Sequence, residues 1–245
     1  MIDLHTHLLP DWDDGARNWE DTVKMAKMAG KDGVEKIVLT PHVYRLGKYG
    51  DDFGVLKSRL KELEFVVDNL PVEVYMGAEV FVHHEMLEGI KKHQLTINGS
   101  DYVFIEFPPE NVPSGVRDLF YRLMLEGFIP IISHPERNMF FGERPEFLYE
   151  LVEMGSLAQV TTHSLAGRLG RRAKRTARLF LEHNLVHVIA SDAHDPVKRP
   201  PLLSEGVKAA ARIVGEAKAK AMVTEIPEAI LNNDLIPDWG DPIGF

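Results

Sequence analysis

His5, His7, Asp13 and Asp14 stand together in the opening stretch MIDLHTHLLPDWDDGA, and all are residue types that bind divalent cations through nitrogen or oxygen. Met1 to Leu4 reads as the end of a buried strand. An HxH pair continuing it would alternate onto one face, with both imidazoles able to reach one ion. A lone HxH pair is equally compatible with capping or surface groups. A catalytic cation needs ligands converging from several elements, so the rest of the chain decides.

Six further apolar runs carry such residues at their C-terminal ends: His42 after KIVLTP, Glu79 in VEVYMGAEV, Glu106 in DYVFIEFP, His134 in IPIISHPER, His163 in SLAQVTTHS, and Asp192 with His194 in VHVIASDAH. Taken singly, each could be a paired core residue. Taken together, they would bury several charges at one end of a core with nothing to compensate them, which is severely unfavourable. A multinuclear metal site removes the conflict. Nitrogen and oxygen ligands suit zinc, manganese, iron or cobalt. With about nine candidate ligands and roughly four or fewer per catalytic ion, two or three metals are implied, Glu79 being able to bridge two of them.

The elements that must position these groups are seven apolar runs separated by amphipathic stretches. NWEDTVKMAKMAGKDG, DFGVLKSRLKELEFVVDNL, HHEMLEGIKKH, SGVRDLFYRLMLEG, RPEFLYELVEMG, RLGRRAKRTARLFLEHN and LLSEGVKAAARIVG all read as helices. Such alternation predicts an α/β fold with a parallel sheet, closed into a barrel or left open. A length of 245 residues suits one seven-stranded barrel, a single domain over residues 1–245. In parallel barrels the active site lies at the C-terminal ends of the strands.

Composition excludes several classes. The chain is 44 % hydrophobic and 27 % charged, ordinary for a globular protein, and its net charge of −9 argues against a general nucleic-acid binder. It has no cysteine, so disulfides, thiolate metal sites and cysteine nucleophiles are ruled out. No charged n-region leads into an apolar h-region, and no apolar run approaches the roughly 18 residues of a membrane helix, so membrane insertion is not expected and the expected location is cytoplasmic. Within GRLGRRAKRTARLF the basic residues read as a solvated helix face rather than a docking patch. His83, His84, His93, His183 and His187 fall away from the strand ends and are left out of the site.

HTH, DDGA, TPH, GAEV, IEFP, SHPER and SDAHDPVKRPP occur in an order and spacing that resembles the polymerase-and-histidinol-phosphatase (PHP) superfamily, and within it the bacterial metal-dependent tyrosine phosphatases of the CpsB/CapC type. The resemblance covers nearly the whole chain. It implies a distorted (β/α)7 barrel of the PHP type and three divalent ions, manganese foremost, with iron, zinc or cobalt compatible. By resemblance, His5, His7, Glu79 and Asp192 would hold one metal, Glu79, Glu106 and His134 a second, and Asp14, His42 and His194 a third. Asp14 matches the family ligand, and Asp13 reads as a supporting carboxylate.

Arg137 and Arg199 sit just beyond ligand-bearing strand ends, where a planar guanidinium could clamp phosphate oxygens, and they match arginines near the family's active site. The expected reaction is hydrolysis of a phosphomonoester by a metal-bridged hydroxide. The resemblance implies phosphotyrosine in a protein tail as substrate, that of a bacterial tyrosine kinase controlling exopolysaccharide or capsule assembly. Histidinol phosphate or another small phosphomonoester is the alternative. A nuclease-like phosphodiesterase is disfavoured by the acidic balance. A metal amidohydrolase is disfavoured because Glu106 stands where its bridging carbamylated lysine would be. His163 departs from the small polar residues of the family, leaving it open as ligand, acid or phosphate contact. Tyr44, Arg45 and Tyr49 lie in a loop from which they could touch substrate.

Overall fold

The apolar runs, rich in β-branched and aromatic residues, become strands, and two of them are interrupted by a bend. A computed structural model describes residues 1–44, 52–67 and 70–245; Arg45 and Tyr49 lie outside the described residues. The strands are β1 (Ile2–Thr6), β2 (Lys36–Leu39), β3 (His42–Val43), β4 (Glu73–Met76), β5 (Glu79–Phe81), β6 (Tyr102–Glu106), β7 (Ile129–Ser133), β8 (Leu157–Thr161) and β9 (Val188–Ala190).

Seven expected strands are thus nine, because two runs bend. Thr40 and Pro41 separate β2 from β3, and Gly77 and Ala78 separate β4 from β5. Pro41 has no N–H to give to a ladder. Gly77 allows close approach at the second bend, since a Cβ there would lie 3.2 Å from Val38 Cγ1 and 3.5 Å from Ile97 Cα. Below the bends β1, β2 and β4 form one sheet. Above them β3, β5, β6, β7, β8 and β9 form the other, and every pairing is parallel. The ring closes where Thr6 bridges Ala193, the Asp192 N–H donates to the His5 carbonyl at 2.9 Å and the His7 N–H donates to the Ala193 carbonyl at 2.8 Å. This is an α/β barrel of parallel strands, distorted at the two bends.

Outside it run α1 (Trp19–Lys31), α2 (Phe53–Val67), α3 (Met86–His93), α4 (Val116–Leu125), α5 (Met139–Glu143), α6 (Pro145–Glu153), α7 (Thr162–Ala166), α8 (Arg171–Glu182), α9 (Ser204–Val214), α10 (Glu216–Ala221) and α11 (Glu225–Asn232). The first shows the usual logic: Asn18 caps it by accepting from the Asp21 N–H at 2.9 Å, Glu20 and Asp21 meet the positive end of the dipole, and Met25, Ala26 and Ala29 are buried. SLAQVTTHS does not stay extended to His163. The Thr161 hydroxyl accepts from the Ser164 N–H at 3.2 Å, capping α7, so the strand ends at Thr161 and His163 is helical. No helix among the described residues is long and apolar enough to cross a membrane.

One apolar cluster joins strand residues Ile2, Leu4, Val38, Phe104, Ile131, Val188 and Ala190 to Ile226 and Ile230 of α11. The Phe104 ring packs against His5 with centroids 4.9 Å apart, so this cluster is the floor of the polar site. Asp3 is fully buried beside it, and its Oδ1 accepts the Ser191 N–H at 2.9 Å, tying β1 to the segment after β9.

Burial pushes the Asp3 carboxyl from 3.8 up to about 6, although its hydrogen bonds with Ser191 and His5 act the other way. Folding therefore favours the protonated acid. The associated stability is fully present below pH 3.8 and is lost as pH rises through about 6. An Asp3→Asn variant keeps an oxygen acceptor without the charge. Its unfolding free energy relative to wild type should improve by roughly 3 kcal/mol between pH 4 and pH 8, about two pKa units. Urea denaturation at the two pH values checks this, and a pH-independent difference would remove Asp3 as the source.

Candidate metal centre

Parallel strands deliver their C-terminal ends to one side, and the polar side chains meet there. His5 is on β1, His42 opens β3, Glu79 opens β5 and Glu106 ends β6. His7, Asp13 and Asp14 follow β1, His134 follows β7, and Asp192 and His194 follow β9. The loop after β1 folds tightly back on its own strand, the Ala16 N–H donating to the His7 carbonyl at 2.9 Å. Only glycine fits at position 15, because a Cβ would lie 2.0 Å from that carbonyl oxygen. His134 and Asp192 hold left-handed backbone, with φ of 33° and 52°. Non-glycine residues adopt this region at a cost, and such strain gathers at functional sites.

The histidine pair shows what the cluster requires. His7 Nδ1 donates to Asp13 Oδ2 at 2.9 Å, and a carboxylate is an acceptor only. His5 Nδ1 donates to Gln159 Oε1 at 3.1 Å. Each ring therefore turns an Nε2 lone pair inward, and the two Nε2 atoms stand 3.2 Å apart. Glu79 Oε2 lies 3.2 Å from the first and 3.4 Å from the second, while Asp192 Oδ1 lies 3.5 and 3.4 Å away. Neither oxygen of Glu79, nor Asp192 Oδ1, has a hydrogen bond among the described residues, though all three are buried. Lone pairs aimed at one another in a dry pocket are repulsive unless a cation lies between them, and hard oxygen with imidazole nitrogen suits a divalent ion.

Ligand atoms within 4.8 Å of one another form the groups His5–His7–Glu79, His5–His134–Asp192, His7–His42–His194 and His42–Glu79–Glu106. They take in every expected ligand except Asp14, whose half-exposed carboxylate lies 3.4 Å from His42 Nε2 and 3.5 Å from His194 Nε2. Glu79 is central, with Oε2 also 3.0 Å from His42 Nδ1 and Oε1 3.0 Å from His134 Nε2. The three sets implied by resemblance overlap these groups without coinciding: His134 stands with His5 and Asp192 as well as beside Glu79, and His7 joins His42 and His194.

The clustered side chains shift one another's protonation in opposite directions. Burial opposes a charge on His7, yet Asp13, Asp192 and Glu79 hold it well above the ordinary histidine range. Burial and His7 oppose one on His42, and Glu79 and Asp14 still raise it to about 9. His134 falls to about 4 through burial and Arg137, and His194 to about 4 through burial and His7. Against the pull of burial, Glu79 is held well below the carboxylate range by His5, His42 and His134, and Asp192 by Arg199, His194, His5 and Arg137.

Arg137 and Arg199 both donate to Asp192 Oδ2, the oxygen opposite the one that faces the histidines. They line a cavity of about 40 Å³ with Asp14, His42, Glu106, His134, Asp192 and His194. His163 is not in it. Its Nε2 bonds to the Pro200 carbonyl at 3.1 Å, so it braces the loop that carries Arg199. The histidines set aside stay apart: His93 stacks on Phe53, His183 stacks on Phe245, His187 is buried beside Ala158, His84 is exposed, and His83 lines a separate cleft.

Two supporting residues escaped the sequence reading. Gln159 sits fully buried on β8, where its Oε1 accepts from His5 and, at 3.4 Å, from the His134 N–H. Glu136 accepts from the Thr161 N–H and hydroxyl at 3.0 Å each, fixing the turn that presents Arg137. A polar residue inside an apolar strand was the available signal for Gln159, because a buried amide must be paired.

A family model described as capsular polysaccharide synthesis, CpsB/CapC, matches residues 1–232. Tyrosine-protein phosphatase YwqE of Bacillus subtilis (strain 168) is 37 % identical over 239 residues, covering 96 % of this chain and 93 % of that protein. A solved structure from work on YwqE of Bacillus subtilis and CpsB of Streptococcus pneumoniae, described as unique metal-dependent tyrosine phosphatases, superposes with a TM-score of 0.91 at 36 % identity over 100 % of both chains. Histidinol phosphate phosphatase from Lactococcus lactis shares the fold alone, with a TM-score of 0.54 and 12 % identity over 88 % of this chain and 93 % of that one.

If Gln159 sets the His5 tautomer, Gln159→Leu should weaken manganese binding about 10- to 100-fold, the usual cost of losing a group that orients a ligand. Calorimetric titration of metal-stripped protein measures it, with circular dichroism to verify folding. Undiminished affinity in a folded variant would show that Gln159 does not orient His5.

Proposed function

The chain belongs to the CpsB/CapC family and is a metal-dependent tyrosine-protein phosphatase, and we propose that it acts in the cytoplasm on phosphotyrosine in the tail of a bacterial tyrosine kinase that governs exopolysaccharide or capsule assembly. The observation that carries this reading is the inward-facing set of nitrogen and oxygen lone pairs with two arginines at its edge. We assign three divalent ions to it, manganese first, with iron, zinc or cobalt as substitutes. His5, His7, Asp14, His42, Glu79, Glu106, His134, Asp192 and His194 would hold them. Bound divalent ions supply Lewis acidity and lower the pKa of water from about 15.7 toward 7.

The protein's own groups do the rest. Arg137 and Arg199 each spend one contact on Asp192 and keep further N–H donors for phosphate oxygens, where fixed donors stabilise the charge that develops during transfer. With no cysteine in the chain, a thiol–phosphate intermediate is unavailable, and we assign water as the nucleophile. A tyrosine phenolate, of pKa near 10, departs with modest protonation. The Pro200 contact of His163 argues against that residue as the acid.

The cavity also favours a polypeptide. Among the described residues the cavity is about 40 Å³, room for a few waters, which supports a substrate whose body stays outside while its phosphate enters.

With metal-stripped enzyme reloaded with manganese, kcat/KM should favour a phosphotyrosine peptide over histidinol phosphate. His5→Ala or chelation should abolish activity, and Arg199→Ala should lower kcat by about 10²- to 10³-fold, as for loss of one charge-stabilising donor. Preference for histidinol phosphate would move the protein to small-molecule hydrolysis, and inactivity on both would discard the reaction class.

A further inference from the structure

Helix α8 contradicts the electrostatics of the chain around it. In α1, α4, α6, α9 and α11 the first turn carries acidic residues, which complement the helix dipole. In α8 the first turn has none and begins Arg171–Arg172, behind Gly170, which offers no side-chain cap. Arg168 pairs with Glu205 at 2.5 Å and Arg178 with Glu182 at 2.8 Å. Arg171, Arg172, Lys174 and Arg175 are exposed and have no ion pair among the described residues. Arg171 and Arg175 are four apart and Arg172 and Arg175 three apart, spacings at which like charges repel on a helix. A chain of net charge −9 therefore keeps four uncompensated cations where they disfavour the helix that bears them. Local conflict of this kind marks a site retained for something other than stability.

Position says what it is retained for. The Arg172 guanidinium donates to the backbone carbonyl of Arg137 at 3.3 Å, and α8 packs on the Pro135–Arg137 turn. The cationic face thus begins at the edge of the cavity, next to an arginine assigned to the phosphate. A polypeptide with its phosphate in that cavity advances about 3.3 Å per residue, so its next few residues come within reach of α8.

We propose that the start of α8, Arg171, Arg172, Lys174 and Arg175, is the docking surface for acidic residues flanking the phosphotyrosine of the polypeptide substrate. This rests on the proposed phosphotyrosine activity. Charge complementarity selects the occupant, because elsewhere the acidic protein repels such a chain.

Two phosphotyrosine peptides test it, one with Asp and Glu beside the phosphotyrosine and one with Ser and Gly, against wild type and the variant R171Q/R175Q. At low salt wild type should prefer the acidic peptide by about 10-fold in kcat/KM, chiefly through KM, and about 0.5 M salt should erase the preference. In the variant the acidic peptide should fall to the level of the neutral one, which moves by less than about 2-fold. The variant's Tm should equal or exceed that of wild type, since like-charge repulsion is relieved. Hydrolysis of both peptides without discrimination, or an equal loss on both in the variant, overturns the docking surface and leaves the phosphatase reading standing. Absence of discrimination with Arg171- and Arg175-dependent sedimentation on phosphatidylglycerol vesicles overturns it in favour of a membrane-facing role. Hydrolysis of neither peptide overturns the activity and the docking surface together.

Discussion

Four atoms set the terms for the whole molecule: the inward Nε2 lone pairs of His5 and His7, Glu79 Oε2 and Asp192 Oδ1, all within 3.5 Å of a neighbour and all buried. No arrangement of neutral side chains satisfies them. The outer nitrogens of the two rings are tied to Gln159 and Asp13, so the rings cannot turn their lone pairs away. A fold that tolerates this must bring strands of widely separated sequence to one edge, and a closed parallel barrel does so because every strand points its C-terminal end the same way.

Much of this could be read from the chain. Acids and histidines ending apolar runs identified His42, Glu79, Glu106, His134 and Asp192 as members of one site, since polar residues there break an otherwise hydrophobic pattern. The bends at Thr40–Pro41 and Gly77–Ala78 could not be read the same way. Two residues interrupt a run too briefly to disturb its hydropathy, and whether a strand kinks there depends on which neighbour each half pairs with. The turn into α7 was hidden for a related reason: Thr161 suits a strand by its branching and a helix cap by its hydroxyl, and only the surrounding packing chooses. The basic character of α8 was plain in the sequence, but its contact with the Arg137 carbonyl is tertiary, so its relation to the site was not.

The supports behind the site were the least legible part. Gln159 holds His5 by a hydrogen bond across 154 residues, and Glu136 holds the Arg137 turn by two to Thr161 across 25. Nothing in local spacing encodes such pairings. Their common feature is burial of a polar group, which becomes visible only once strands are paired and the partner each group needs can be sought.

Asp192 faces two ways, one oxygen to the histidines and the other to Arg137 and Arg199. Its charge is therefore shared between two clients of like sign. A cation drawn to the inner oxygen would weaken the hold of the outer one on the guanidiniums, leaving them better hosts for an anion. Thermodynamic reciprocity requires the converse, that an anion settling on the arginines tightens the cation. With metal and phosphate placed as proposed, one carboxylate would couple loading with metal to affinity for phosphate, and free phosphate would act as a retainer of the metal as well as a product.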